Sequence, residues 1–181
     1  MRFERTAIDG VWIIHPDVHG DARGFFLEEY SAARFREVGI EARFVQDNHS
    51  SSQKGVVRGL HYQLPPRAQA KLVRVIRGSA YDVAVDIRRG SPTFGRWVAD
   101  TLSESNRRMM YIPEGFAHGF LALEEGTEFL YKVSDVYAPE RQRGILWNDP
   151  GIGILWPDTG AAPILSDKDR VQPPLDRAEL P

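Results

Sequence analysis

Tyr81-Asp82-Val83-Ala84-Val85-Asp86-Ile87 alternates large apolar side chains with small or acidic ones. Successive side chains on an extended strand point to opposite faces, so Tyr81, Val83, Val85 and Ile87 share one face and Asp82, Ala84 and Asp86 the other. In a barrel one face packs against a second layer and the other lines the interior. Asp82 or Asp86 then either points into a polar cavity or wets the surface of an ordinary strand. Around this heptapeptide, short apolar or β-branched runs recur between Gly and Pro punctuation, at 11–14, 24–30, 44–46, 56–62, 72–76, 97–102, 109–112, 116–123 and 129–133. This spacing predicts a mainly β fold, an antiparallel barrel or sandwich with a few short helices. One stretch reads clearly as helix: Ser31 can cap it, Phe35 and Val38 share a face, and Gly39 can end it. A second short helix is expected around Asp167 to Arg170, and the tail beyond Val171, with Pro173-Pro174 and Pro181, is expected to be irregular.

Composition narrows the function classes. The 181 residues are 42% hydrophobic and no long polar stretch divides them, so one domain over 1–181 is expected. Lys+Arg 23 against Asp+Glu 25 gives a formal charge of −2, which supplies no overall basic field for nucleic acid or an anionic membrane. An anionic ligand must therefore be held by local charges. The absence of cysteine excludes disulfides and thiolate metal sites and permits a cytoplasmic location. Met1-Arg2-Phe3-Glu4-Arg5 lacks the apolar run of a signal peptide, and no segment reaches the ~20 apolar residues that span a bilayer, so a soluble protein is expected.

Arg58-Gly59-Leu60-His61-Tyr62-Gln63 sets a base that titrates near neutrality beside a fixed cation, and Lys71 follows in the next predicted strand. That combination suits proton abstraction and stabilisation of the resulting anion. Two readings of His61 compete, a structural hydrogen-bonding residue and a catalyst. Its company favours the second, because Arg58, His61, Lys71, His118 and Tyr131 all fall on or beside predicted strands and fit poorly in an apolar core.

Ile112-Pro113-Glu114-Gly115-Phe116-Ala117-His118-Gly119-Phe120 matches the Pro-x-Gly-x-x-His pattern of the second cupin motif, and the architecture resembles a cupin jelly roll. Cupins usually hold a metal with His-x-His and a later Glu. Here the first motif is His61-Tyr62-Gln63, and Lys71 stands where an acidic ligand is expected. Glutamine is a poor ligand for divalent transition metals and lysine is a cation, so the site reads as metal-free, with no cofactor.

A closer resemblance rests on several blocks taken together: Asp21-Ala22-Arg23-Gly24-Phe25-Phe26, Gln46-Asp47-Asn48-His49-Ser50, Arg58 to Gln63, Ala84-Val85-Asp86-Ile87-Arg88, Ser91-Pro92-Thr93-Phe94-Gly95, Ile112 to Phe120 and Trp147-Asn148-Asp149-Pro150. In order and spacing they resemble the dTDP-4-dehydrorhamnose 3,5-epimerase family, from about Gly10 to Asp169. The resemblance implies a dTDP-4-keto-6-deoxyglucose substrate, inverted at C3 and C5 without redox change or cofactor. It implies His61 as general base, Asp169 as its carboxylate partner, Tyr131 as general acid and Lys71 on the enolate oxygen. Read alone, Asp169 is a surface or helix-start acid and Lys71 a solvated strand lysine. Arg23, Glu28, Gln46, Asp47, Asn48, Arg58, His118 and Lys168 match positions that hold nucleotide and sugar. Family members are dimers whose N-terminal strand enters the neighbouring site, so Arg23 and Glu28 are expected to act across an interface. One departure is visible: a ligand-contacting glutamate of some members corresponds to Gln142, with Glu140 nearby. The competing readings are a single-carbon epimerase, a cupin-fold sugar-nucleotide binder without catalysis, and a metal-dependent cupin enzyme.

Overall fold

The computed structural model covers residues 1–181. In chain order its elements are β1 (Arg2–Arg5), β2 (Trp12–His15), β3 (Val18–Asp21), β4 (Gly24–Leu27), α1 (Ala32–Glu37), β5 (Gln46–Ser52), β6 (Val57–Gln63), β7 (Lys71–Arg77) and β8 (Ser79–Asp86). They continue as β9 (Trp97–Ser103), β10 (Met109–Ile112), β11 (Phe116–Ala122), β12 (Thr127–Val133), β13 (Gln142–Gly144) and α2 (Asp167–Arg170), and end with a 3-10 turn at Leu175–Arg177. Two antiparallel sheets face each other: β1-β2-β10-β7-β12-β5 and β13-β6-β11-β8-β9. The remaining pair, β3-β4, is a separate hairpin arm.

Strand alternation decides what lies between the sheets. Val73 and Val75 of β7, Met110 and Ile112 of β10 and Phe129 of β12 meet Ala80, Ala84, Leu102 and Phe120 from the other sheet. Phe120 and Phe129 stack across the gap with centroids 4.2 Å apart. Each of the valine, leucine, isoleucine, methionine and phenylalanine side chains contributes roughly 1.5–3 kcal/mol when fully buried. Val83, Val85 and Ile87 point the other way, into a cluster on the outer face of the five-stranded sheet, where Ile145, Ile152, Leu175 and Ala178 cover them. On β8, as the alternation requires, Ala84 therefore lies inside and Val83 outside.

The outer face of the six-stranded sheet carries Trp12, Ile14, Leu72, Met109 and Tyr111 against Phe35 of α1 and Ile40. The helix runs as its sequence reads, with Phe35 fully buried and Gly39 at φ +84 taking the chain out. Ser31 occupies the N-cap position, but its hydroxyl makes no capping bond. Beyond Val171 the only regular element is the 3-10 turn, yet the tail packs closely: Tyr62 Oη donates to the Glu179 carbonyl at 2.7 Å and Arg143 pairs with Glu179 at 2.6 Å. No helix is long and apolar enough to cross a membrane.

Candidate active site

At the end of the sandwich bounded by β5, β6, β7 and β12, the core gives way to a cavity of about 670 Å3. Phe120 and Phe129 form part of its apolar lining, and the same inward strand positions that carry valine deeper in the core here carry His61, Lys71, His118 and Tyr131. The crossing of β6 and β11 brings the two histidines together. A Cβ on Gly59 would lie 2.5 Å from the Gly119 Cα, and one on Gly119 would lie 2.8 Å from the Arg58 carbonyl oxygen, so only glycines allow this approach. The ladder register breaks between His118 and Phe120 and leaves His61 and His118 as cross-strand neighbours.

Each histidine is tied to a carboxylate. His61 Nε2 lies 2.6 Å from Asp169 Oδ1 on α2, whose start is capped by Ser166 Oγ accepting the Asp169 N–H at 3.1 Å. Burial pushes the Asp169 carboxyl up, but the His61 hydrogen bond and charge, with help from Ser166 and Lys168, outweigh it and hold the group below its ordinary value. An ionised carboxylate only accepts, so Nε2 carries a proton and, in the neutral ring, Nδ1 holds the lone pair. His118 Nε2 lies 2.8 Å from Asp82 Oδ1, and both residues are buried. Burial lowers the basicity of His118, Asp82 opposes this and Lys71 reinforces it, leaving a less basic imidazole. The second oxygen of Asp82 is buried without a hydrogen-bond partner.

Lys71 completes this inner group. Its Nζ donates to the His61 carbonyl at 3.3 Å and lies 3.5 Å from His118 Nδ1. Burial lowers its pKa to about 8, against a raising effect of Asp82. Tyr131 is half-buried, and loss of solvent, opposed by Arg58, raises its phenol above the ordinary value. A cation that can meet a developing oxyanion, a ring nitrogen with a free lone pair and a phenol that stays protonated thus share one cavity. The donors at the cupin positions do not compose a metal cage. Lys71 is a cation, Gln63 Oε1 accepts from the Ala138 N–H at 2.8 Å while its Nε2 donates to the Arg67 carbonyl at 2.6 Å, and no three His, Asp or Glu side chains converge at ligand distance.

Gln46, Asn48, Arg58 and Lys168 also line the cavity. Arg58 is held by Ser52 Oγ at 3.1 Å and the Ser51 carbonyl at 3.0 Å. Gln46 donates to Asn48 Oδ1 at 2.8 Å. Three expected residues stand elsewhere. Asp47 points to the opposite face of β5, where it pairs with Lys132 at 2.9 Å. Glu28 pairs with Arg34 at 3.3 Å, and Arg23, at the tip of the arm, pairs with Asp21 and is 90% exposed. The cavity also holds Tyr137, which sequence reading did not single out because its loop between β12 and β13 has no periodic signal. Its backbone N–H donates to Gln46 Oε1 at 3.0 Å and its hydroxyl to Gln142 Oε1 at 2.8 Å, the same oxygen that accepts from Lys168 Nζ at 2.6 Å. Gln142 therefore sits in the cavity wall as a neutral acceptor, while Glu140 does not line it.

A cupin-type jelly roll whose cavity presents two carboxylate-bound histidines, a buried lysine and a phenol carries the groups that the acid–base chemistry of an isomerase requires. The model of the family described as dTDP-4-dehydrorhamnose 3,5-epimerase matches residues 5–177, and the chain belongs to that family. A dTDP-4-dehydrorhamnose 3,5-epimerase of Pseudomonas aeruginosa is 56% identical over 171 residues, covering 94% of this chain and 93% of the relative. The crystal structure of a dTDP-6-deoxy-D-glucose-3,5-epimerase from Legionella pneumophila, in complex with dTDP-4-keto-L-rhamnose, superposes with a TM-score of 0.95 at 49% identity, over 99% of this chain and 97% of that one. A 3'-monoepimerase from Streptomyces bikiniensis, in complex with dTDP-quinovose, gives a TM-score of 0.89 at 37% identity, over 94% of this chain and 86% of that one.

Proposed function

We propose that this chain converts dTDP-4-keto-6-deoxy-D-glucose to dTDP-4-keto-L-rhamnose, a step of dTDP-L-rhamnose biosynthesis, by inverting C3 and C5. The observation that carries the reading is the 2.6 Å His61–Asp169 contact in the wall of a cavity that also presents Lys71 and Tyr131. The C4 ketone acidifies the hydrogens at C3 and C5. His61 Nδ1 takes a proton from one carbon, the C–H electron pair moves toward C4, and the enolate oxygen is met by the Lys71 ammonium. Asp169 stabilises the imidazolium that forms. Return of the enolate electrons to carbon, with a proton delivered by Tyr131 from the opposite face, inverts the centre. The phenolate then regains a proton from solvent and the imidazolium releases one, so no electron acceptor is needed.

Arg58 and Lys168 supply positive charge for the diphosphate, and Gln46, Asn48 and His118 supply polar contacts for nucleotide and sugar. Arg23, Glu28 and Asp47 lie off the cavity of one chain, which supports a homodimer in which the arm of one protomer, carrying Arg23, closes the site of its partner. The exposed Phe25 and Phe26 of that arm, 58% and 70% accessible, are apolar surface for such a contact. The absence of cysteine goes with a cytoplasmic location. The test is to supply dTDP-4-keto-6-deoxy-D-glucose and identify the product by NMR. Inversion at both carbons is expected, inversion at C3 alone reassigns the chain to single-carbon epimerases, and unchanged substrate removes the reading.

A further inference from the structure

The Trp147-Asn148-Asp149-Pro150 turn lies outside the cavity, yet it contains one of the few buried carboxylates, Asp149, only 4% exposed. Both of its oxygens are used on backbone: Oδ1 accepts the Gly151 N–H at 2.6 Å and Oδ2 accepts the Leu175 N–H at 2.5 Å. The Leu146 N–H donates to the Pro173 carbonyl at 2.9 Å, so the C-terminal segment is stitched to this turn at two points. The Gln172 side chain covers Gly144, where a Cβ would come within 2.5 Å of it.

These bonds matter for the site because of what lies between them and the barrel. Helix α2 has four residues, Asp167–Arg170, too few to hold a position by its own hydrogen bonds. It hangs between two anchors. Upstream, Ile164 exchanges backbone hydrogen bonds with Gly55 and Val57, each 2.9 Å. Side chains tie α2 to the barrel through Lys168–Gln142 and Asp169–His61, and downstream its first backbone anchors are the Pro173 and Leu175 bonds to the Trp147–Pro150 turn. Asp169, whose side chain is 5% exposed, must reach His61 from this suspended turn.

We propose that Asp149 is a positioning residue for the His61–Asp169 pair, acting through its hold on Leu175 and thus on the C-terminal anchor of α2. Its contribution is to alignment of the base, not to ligand contact. The kinetic consequence rests on the epimerase reading above; the structural one does not.

Asp149→Asn keeps the side-chain volume but turns one acceptor oxygen into a donor that faces a backbone N–H. Leu175→Pro removes the same hydrogen bond from the other side and leaves Asp149 intact, and Leu175→Ala, which loses the Leu175 packing in the outer cluster but keeps the N–H, separates the two effects; Pro174 is extended at ψ 163, a conformation that accepts a following proline. Asp149→Asn and Leu175→Pro are both expected to lower kcat by about tenfold to a hundredfold, the scale of a misplacement of about 1 Å, with KM within about twofold. In both, the downfield NMR resonance of the proton between His61 and Asp169 is expected to move or broaden. Glu179→Ala, which cuts only the outer Arg143 side-chain contact of the same segment, is expected to retain wild-type kcat and resonance. A folded Asp149→Asn or Leu175→Pro enzyme whose His61 proton resonance matches the wild type overturns the proposal, whatever its rate. If Asp149→Asn does not fold, Leu175→Pro decides alone. If the wild type does not epimerise, the epimerase reading fails while the resonance comparison still decides this one.

Discussion

Replacing Lys71 with methionine should make the protein more stable and less active. In the folded chain burial depresses the lysine from 10.5 to about 8, a difference of about 2.5 units. At 1.36 kcal/mol per unit, holding the charged ammonium in the cavity wall costs about 3 kcal/mol. Methionine fills the space of the stem without a charge; the value of about 8 already contains the Asp82 attraction, and loss of the Nζ hydrogen bond to the His61 carbonyl offsets about 1 kcal/mol, leaving about 2 kcal/mol in favour of the variant at pH 7. The pH dependence identifies the cause. Below about 8 the lysine is protonated in both folded and unfolded chains and the full cost is present. Between about 8 and 10.5 the folded chain has released the proton while the unfolded chain keeps it, so wild-type stability rises with pH relative to the variant. Urea unfolding of both proteins at pH 7, 8, 9 and 10 measures the difference, which is expected to shrink by up to about 1.4 kcal/mol per pH unit. A variant less stable than wild type at pH 7, or a difference that does not change with pH, would refute the reasoning. Turnover of the same variant is expected to fall at least about a hundredfold, as when an oxyanion donor is removed.

Other consequences follow from the same geometry. The profile of kcat/KM against pH should carry an alkaline limb near 8, set by loss of the Lys71 proton and not by Tyr131, whose phenol burial shifts the other way; a rate still rising through pH 9 would exclude this. Asp86, the other inward acid of β8, is fully buried and accepts from Arg88, Ser91 and Thr93, which overcome burial and hold its carboxyl far below the ordinary value. Asp86→Ala should therefore cost about 2–3 kcal/mol in denaturant unfolding at pH 7, since the Arg88 it leaves unpaired is 37% exposed, while the deuterium exchange of any surviving fold stays normal. Phe26→Asp on the arm should give a monomer in sedimentation velocity and raise KM about tenfold; a dimer with wild-type KM would remove the arm from the site.

The parts of the fold legible in the sequence are those where a strand has one dry face. Tyr81 to Ile87 gave its two faces correctly because Val83, Val85 and Ile87 meet the C-terminal cover while Ala84 meets the inter-sheet core. Strand β5 was legible only at its edge. Gln46, Asn48 and Ser50 face the cavity and Asp47 and His49 the other side, so a strand lining a polar site carries no apolar alternation to read. The short strands β1, β3 and β13 lack that signal too. His61, Lys71 and His118 could be suspected from their strand positions, but Asp169 could not, since 108 residues separate it from His61 and only the closed fold brings α2 onto β6. Resemblance supplied that residue. Asp82 was one of two candidates for the interior, and the alternation could not choose between them because both share a face; Asp82 meets His118, whereas Asp86 locks the loop that follows it. The tail illustrates a further limit: its prolines mark irregular backbone, but irregular backbone here forms a packed cover through Leu175, Ala178 and Leu180.

Proton removal by His61 and return by Tyr131 are measured most directly by solvent exchange. The substrate is incubated in deuterated water with wild type, His61→Ala and Tyr131→Phe, and deuterium at C3 and C5 is followed by NMR alongside the configuration of each carbon. Wild type should incorporate label at both carbons with inversion, His61→Ala at neither, and Tyr131→Phe should exchange protons while inversion at one or both centres is impaired. Label entering either carbon at near wild-type rate with His61→Ala would contradict the assignment of the base.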